Sequence, residues 1–142
     1  MSDLLIEGLH VDLQPKARAH RDHAQDIGIT IVFTAGYRTT TEQMILFQKG
    51  RKLDDFGMWH VMDPHSVVTF ALPSQAPHCR RAAYDLAPIV NERAAWDRLD
   101  LFAELGRIGR DLGLVWGGDW VKIKDLCHFE LPDWRSLPMS PP

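Results

Sequence analysis

Three segments of the 142-residue chain hold polar residues inside otherwise apolar or strand-like surroundings: Tyr37-Arg38-Thr39, His78 to Asp85, and Asp125 to Glu130. Together the last two offer His78, Asp85 and His128, two imidazoles and one carboxylate. Such a set suits catalytic zinc, which keeps three protein ligands and leaves its fourth position to water, whereas a structural site fills all four. Spacing alone leaves this open, because a His with an Asp seven residues later arises by chance. Histidine is nonetheless abundant, with seven in the chain beside only two cysteines. That composition excludes a disulfide scaffold and leaves imidazole chemistry available.

The elements that must position these residues are legible in part. Pro15 marks a helix start, and Leu13, Ala17, His20, Ala24 and Ile27 share one helical face that ends at Gly28. Ile29 to Phe33, β-branched and aromatic between glycines, reads as a buried strand. Thr40 with Gln43 resembles a capping box opening a helix to about Lys49. From Arg51 to Pro77 the periodicity fails, and only Val67 to Leu72 looks like a strand. A loop of that length in a small domain is functional more often than inert. Tyr84 to Ala87 reads as a short strand. Asp97 or Asp100 caps a helix bearing Leu101, Leu105, Ile108 and Leu112, stopped by Gly113. Leu114 to Trp116 and Cys127 to Leu131 are strand candidates on either side of Gly117-Gly118. Helices mixed with short, turn-linked strands give an α+β expectation in a single domain.

Charge and hydropathy narrow the function classes. Sixteen basic against nineteen acidic residues give a formal charge of -3, with no basic excess for a phosphate surface, so nucleic acid is not an expected partner. No run approaches the roughly 18 apolar residues of a membrane span, which excludes membrane insertion. Met1 to Glu7 carries Asp3 and Glu7 and lacks the pattern of a signal peptide, so synthesis without export through that route is expected.

The string Tyr37-Arg38-Thr39, Glu42-Gln43, Phe47 and Gly50-Arg51, then His78, Ala83 and Asp85, then Trp116-Gly117-Gly118-Asp119-Trp120 and Asp125-Leu126-Cys127-His128-Phe129-Glu130, resembles the peptidoglycan L-alanyl-D-glutamate endopeptidases. These belong to the zinc peptidase family that includes D-alanyl-D-alanine carboxypeptidases, and bacteriophage endolysins are their nearest members here. The resemblance runs from about Ile27 to Leu131. It implies a D-Ala-D-Ala peptidase or hedgehog-like fold, a small antiparallel sheet with helices packed on it and one zinc ion at the sheet. It further implies that His78, Asp85 and His128 ligate that zinc, that Asp125 is the general base, and that Arg38 engages substrate and stabilises developing charge. Arg38, Gln43 and Trp116 are expected to bind substrate; for Trp116 and Trp120, stacking on glycan or peptide stands beside core packing. The whole chain, 1–142, is expected to be one monomeric catalytic domain without a wall-binding domain. It would be made in a host cytoplasm and act on periplasmic or wall peptidoglycan, with a holin-type partner for release. A D-Ala-D-Ala carboxypeptidase or dipeptidase, and a non-catalytic zinc-stabilised wall-binding module, are the alternatives.

Two positions depart from the family pattern, which has Ser two residues before its first ligand and Gly three after it. Here those places hold Ala76 and Arg81. Lys52 to Val61 is also long and aromatic, and is expected to form a lid or substrate-lining loop. Plainer roles are expected elsewhere: His20, in the middle of the apolar face of its helix, as a hydrogen-bonded boundary residue, His60 and His65 as loop residues, and Cys79 and Cys127 as free thiols. Cys127 is expected on the face opposite His128.

Overall fold

The computed structural model describes residues 3–139. A short helix, α1 (Asp3–Glu7), leads into α2 (Gln14–Asp26), where Pro15 occupies the first turn and its missing N–H leaves no bond unmade. Leu13, Ala17, His20 and Ala24 are fully buried, whereas Ile27 falls at the helix end and is exposed. Gly28 leaves the helix at a φ of 84°. Strand β1 (Thr30–Ala35) and helix α3 (Thr40–Gln48) follow. The capping box sits one residue earlier than Thr40 and Gln43: Thr39 Oγ1 accepts the Glu42 N–H and the Glu42 carboxylate accepts the Thr39 N–H, both at 3.0 Å. A carboxylate in the first turn also faces the positive helix end, which favours Glu42 in that role. Gln43, the next residue, lies about 100° further round the helix and is buried.

The expected structureless stretch after Gly50 contains a hairpin, β2 (Arg51–Leu53) paired with β3 (Trp59–Val61). Asp54 closes its turn, its Oδ1 accepting the N–H groups of Phe56 and Met58, both at 2.8 Å. Trp59 lies edge-on to Phe47 of α3. The expected strand over Val67–Leu72 makes no ladder. Side chains hold it instead: Gln43 donates to the Ala71 carbonyl and Arg51 to the Thr69 carbonyl.

Strand β4 (Ala83–Val90) outruns its expected limits and continues through Pro88. β4 then turns through Asn91 and Glu92, both at positive φ, into β5 (Arg93–Ala94). Helix α4 (Leu99–Asp111) begins after Arg98 with no side-chain cap, and Asp100 pairs with Arg98 instead of capping. Gly113, at a φ of 84°, stops it. Strands β6 (Val115–Trp116) and β7 (His128–Glu130) complete an antiparallel sheet in the order β1-β4-β7-β6, with β5 on β4. This is the α+β arrangement the sequence predicts.

Residue pairing across β4, β7 and β6 aligns Tyr84, Phe129 and Trp116 on the face that α2 and α4 cover. The helices meet these rings through glycine. A Cβ at Gly106 would stand 2.4 Å from the Trp116 ring, and one at Gly109 2.4 Å from Phe129. His20 bridges the layers from a fully buried position: its Nε2 donates to the Leu105 carbonyl at 2.9 Å and its Nδ1 accepts the Tyr84 hydroxyl at 2.6 Å.

Burial pushes the His20 pKa down to about 4. The folded chain therefore keeps this ring neutral well below the pH, near 6.5, at which the unfolded chain takes up its proton. More protons bind to the unfolded state in that interval, so stability is full above about pH 6.5 and falls as the pH drops toward 4, by about 3 kcal/mol in all. Urea midpoints of wild type and His20→Gln at pH 7 and pH 5 check this. The wild type should lose about 2 kcal/mol more than the variant over that step; parallel losses would contradict it.

Candidate active site

Because side chains alternate along strands, the residues between the core aromatics face the other side of the sheet. Asp85 pairs with His128 and Ala83 with Glu130 across β4 and β7, so Asp85, His128 and Glu130 share that face. The register of β1 against β4 slips between Phe33 and Ala35, and Ala35 is the partner of Asp85. Such bulges re-aim side chains beside sites. His78 arrives from the 3-10 turn Pro77–Arg80, just before β4. Arg81 ends that turn in the left-handed conformation, φ 60°, where glycine would cost nothing. Its guanidinium lies 3.8 Å from the Tyr37 ring centroid and donates to the Gly8 carbonyl at 2.6 Å. These contacts hold the turn without glycine.

His78, Asp85 and His128 are brought together. Asp85 Oδ1 stands 3.4 Å from His78 Nε2 and 3.2 Å from His128 Nδ1, and the three potential ligand atoms lie within 4.8 Å of one another. Each imidazole is committed at its far side: His78 Nδ1 donates to the Gly36 carbonyl at 2.8 Å, and His128 Nε2 to Glu130 Oε1 at 2.8 Å. The free nitrogens therefore face the same carboxylate.

Burial pushes His78 down in pKa, against the opposing pull of Asp85. Burial would do the same to His128, but hydrogen bonds and charge from Asp85 and Glu130 prevail and raise it to about 9. Burial would raise Asp85, yet its bonds to the two imidazoles hold it well below the usual carboxylate range. Two carboxylates, the half-buried Asp85 and the buried Glu130, thus flank His128 and call for positive charge between them. Two nitrogen donors and one oxygen with fixed outer nitrogens fit zinc.

Asp125 enters from the turn before β7. Its N–H donates to the Gly117 carbonyl at 3.0 Å, and its own carbonyl accepts the His128 N–H at 3.2 Å. A Cβ at Gly117 would stand 2.3 Å from the Asp125 carbonyl oxygen, so glycine is what lets these turns meet. The Asp125 carboxylate lies beside Asp85, with which it and Cys127 form a second cluster of potential donors. Cys127 is not on the opposite face. Strand alternation begins only at His128, and the Cys127 thiol donates to Asp125 Oδ1 at 3.2 Å. Burial, then Asp85 and Asp125, push this thiol far up, keeping it protonated. Cys79 and Cys127 are both free.

Arg38 reaches the site through its Nη2, 3.7 Å from Asp85 Oδ2, while its Nη1 donates to Gln43 Oε1 at 3.3 Å. Gln43 itself is 1% exposed, and its amide nitrogen is spent on Thr69 and Ala71. It therefore braces Arg38 from behind. Trp116 takes the core-packing role, one of the two expected of it. It is buried against Phe129 and Gly106, and its Nε1 donates to the Leu126 carbonyl at 2.8 Å. The ring beside the site is Trp120, 5.2 Å from His128. Glu130 is the site residue that sequence reasoning leaves without a role, although its place two residues after His128 on a strand signals a shared face. His60 pairs with Asp54 on the hairpin, and neither His60 nor His65 belongs to a cluster of potential metal donors among the described residues.

A family model described as D-alanyl-D-alanine carboxypeptidase matches residues 72–131, the stretch bearing His78, Asp85, Asp125 and His128. The chain is similar to the peptidoglycan L-alanyl-D-glutamate endopeptidase CwlK of Bacillus subtilis (strain 168), 29% identical over 133 residues, or 87% of this chain and 73% of that protein. Among solved structures, the L-Ala D-Glu endopeptidase ChiX of Serratia marcescens aligns with a TM-score of 0.68 at 20% identity, over 95% of this chain and 90% of that one. The vancomycin resistance D,D-pentapeptidase VanY, solved as a variant with Zn(II), aligns at 0.62 and 18% identity, over 87% and 72%. VanYB in complex with D-alanine-D-alanine aligns at 0.63 and 17%, over 87% and 71%. The chain shares the fold of these structures.

Proposed function

We propose that the chain, which shares the fold of the solved L-Ala D-Glu endopeptidase ChiX and is similar to CwlK, is a peptidoglycan hydrolase of the D-alanyl-D-alanine carboxypeptidase family that cleaves the L-Ala-D-Glu amide of stem peptides with one bound zinc. The observation that carries this reading is the convergence of His78, Asp85 and His128 on one point, with the Asp125 carboxylate clustered beside Asp85 and outside that three-residue set. Bound there, zinc supplies a polarised carbonyl and a water acidified to a pKa of about 7. Asp125 takes the proton of the attacking water as its oxygen bonds to the carbonyl carbon. The same carboxylate returns the proton to the leaving nitrogen as the amide bond breaks. Arg38, with five donors in a planar fork, meets the developing oxyanion or a substrate carboxylate such as that of D-glutamate. Trp120 walls the site beside His128.

The wider role we assign is that of a phage or prophage lysin, made in the host cytoplasm as a monomer and released to the wall by a holin-type partner. This rests on the likeness of the motif string to bacteriophage endolysins. No helix among the described residues is long and apolar enough to cross a membrane. A second reading, D-Ala-D-Ala carboxypeptidase or dipeptidase, is favoured by the description of the matching family model and by the likeness to VanY. Digestion of purified peptidoglycan, with the new termini read by mass spectrometry, separates the two. New amino-terminal D-Glu with free carboxyl-terminal L-Ala is the expected result, and released D-Ala would favour the second reading. A zinc-loaded chain that yields neither would overturn both.

A further inference from the structure

The outer nitrogens of the two histidines are held by different groups. His78 donates to a neutral backbone carbonyl, that of Gly36, at 2.8 Å, whereas His128 donates to a full carboxylate, Glu130, at 2.8 Å. Glu130 is 8% exposed and lies on the same face of β7 as His128. On its other side, His128 turns Nδ1 to Asp85 Oδ1 at 3.2 Å. An acceptor on one imidazole nitrogen fixes the proton there and frees the other lone pair; when that acceptor is charged, the ring also becomes a stronger base and a better ligand.

Resting on the assignment of His78, Asp85 and His128 as zinc ligands, we infer that Glu130 is a positioning residue that keeps the His128 proton on Nε2, turns Nδ1 to the metal and strengthens that bond. Asp85 neutralises part of the ion's charge directly, and Glu130 adds a second negative charge through the ring. The Gly36 carbonyl gives His78 orientation without that charge. His128 is accordingly the ligand whose strength depends on a side chain.

Zinc affinity of the metal-depleted chain, read by competition with a chromogenic chelator, tests this without reference to turnover. Glu130→Ala should bind zinc about 10–100-fold more weakly than wild type. Glu130→Gln should fall between, since its amide oxygen still accepts the proton but carries no charge. Wild-type affinity in Glu130→Ala would overturn the inference, as would wild-type affinity in Glu130→Gln if the alanine variant does not fold. A second readout needs no variant: long-range proton–nitrogen spectra of the zinc-loaded wild type should place the His128 proton on Nε2, and a proton on Nδ1 would overturn it. A wild-type chain that binds no zinc would remove the ligand assignment itself, a distinct failure.

Discussion

His78→Ala and His128→Ala each lose zinc, and hydrolysis with it. Both rings are nearly fully buried and face one carboxylate, so each supplies one of three donors from a fixed direction. Removing either leaves two donors and a cavity. Changes in the residues that merely hold a ligand cost about 10–100-fold in affinity, so losing a ligand should cost more than about 100-fold. The measurement is metal content after dialysis against a trace-metal-free buffer. Wild type should retain about one zinc per chain, the expected complement of a three-ligand catalytic site, and the variants close to none. A full equivalent in His128→Ala would show that the ion sits elsewhere. His60→Ala is the control, because its partner Asp54 lies on the hairpin and brings no third donor.

Asp125→Ala should separate binding from chemistry. Its carboxylate lies beside the three-ligand set without belonging to it, and its backbone ties the turn to Gly117 and to His128. Alanine keeps those backbone bonds. The variant should therefore retain about one zinc while turnover falls about 10²–10⁴-fold, the usual contribution of a positioned general base. Asp125→Asn should behave alike, since the amide accepts the Cys127 thiol but takes no proton from water. Turnover equal to the parent would refute the base assignment, and joint loss of zinc would make Asp125 part of the metal site.

The parts of this molecule that were legible in its sequence are those with a strong period or a strong pattern. The faces of α2 and α4 stand out because Leu13, Ala17, His20 and Ala24, and Leu105 with Ile108, repeat at helical spacing. The three-residue strands of the hairpin Arg51–Val61 are too short to show a period of two, and side-chain bonds from Gln43 and Arg51 hold the stretch after them. Gln43 and Trp116 show what a motif leaves open. A motif records that a residue type recurs near a site, but not whether its polar end faces the site or the interior. Here Gln43 is buried beside Ala71 and Thr69, and pairing with Phe129 puts Trp116 on the core face and leaves Trp120 beside His128. Glu130 lies within a recognised motif, yet its role becomes visible only once β7 sets it beside His128 on one face.

The most direct test of a zinc-dependent stem-peptide hydrolase uses one preparation in two states. The chain is depleted of metal with a chelator, divided, and one half is reloaded with a single equivalent of zinc; both halves then receive purified peptidoglycan. New amino termini, counted over time, should appear with the reloaded chain and be absent from the depleted one. Equal release from both, or none from the reloaded chain, would contradict the account.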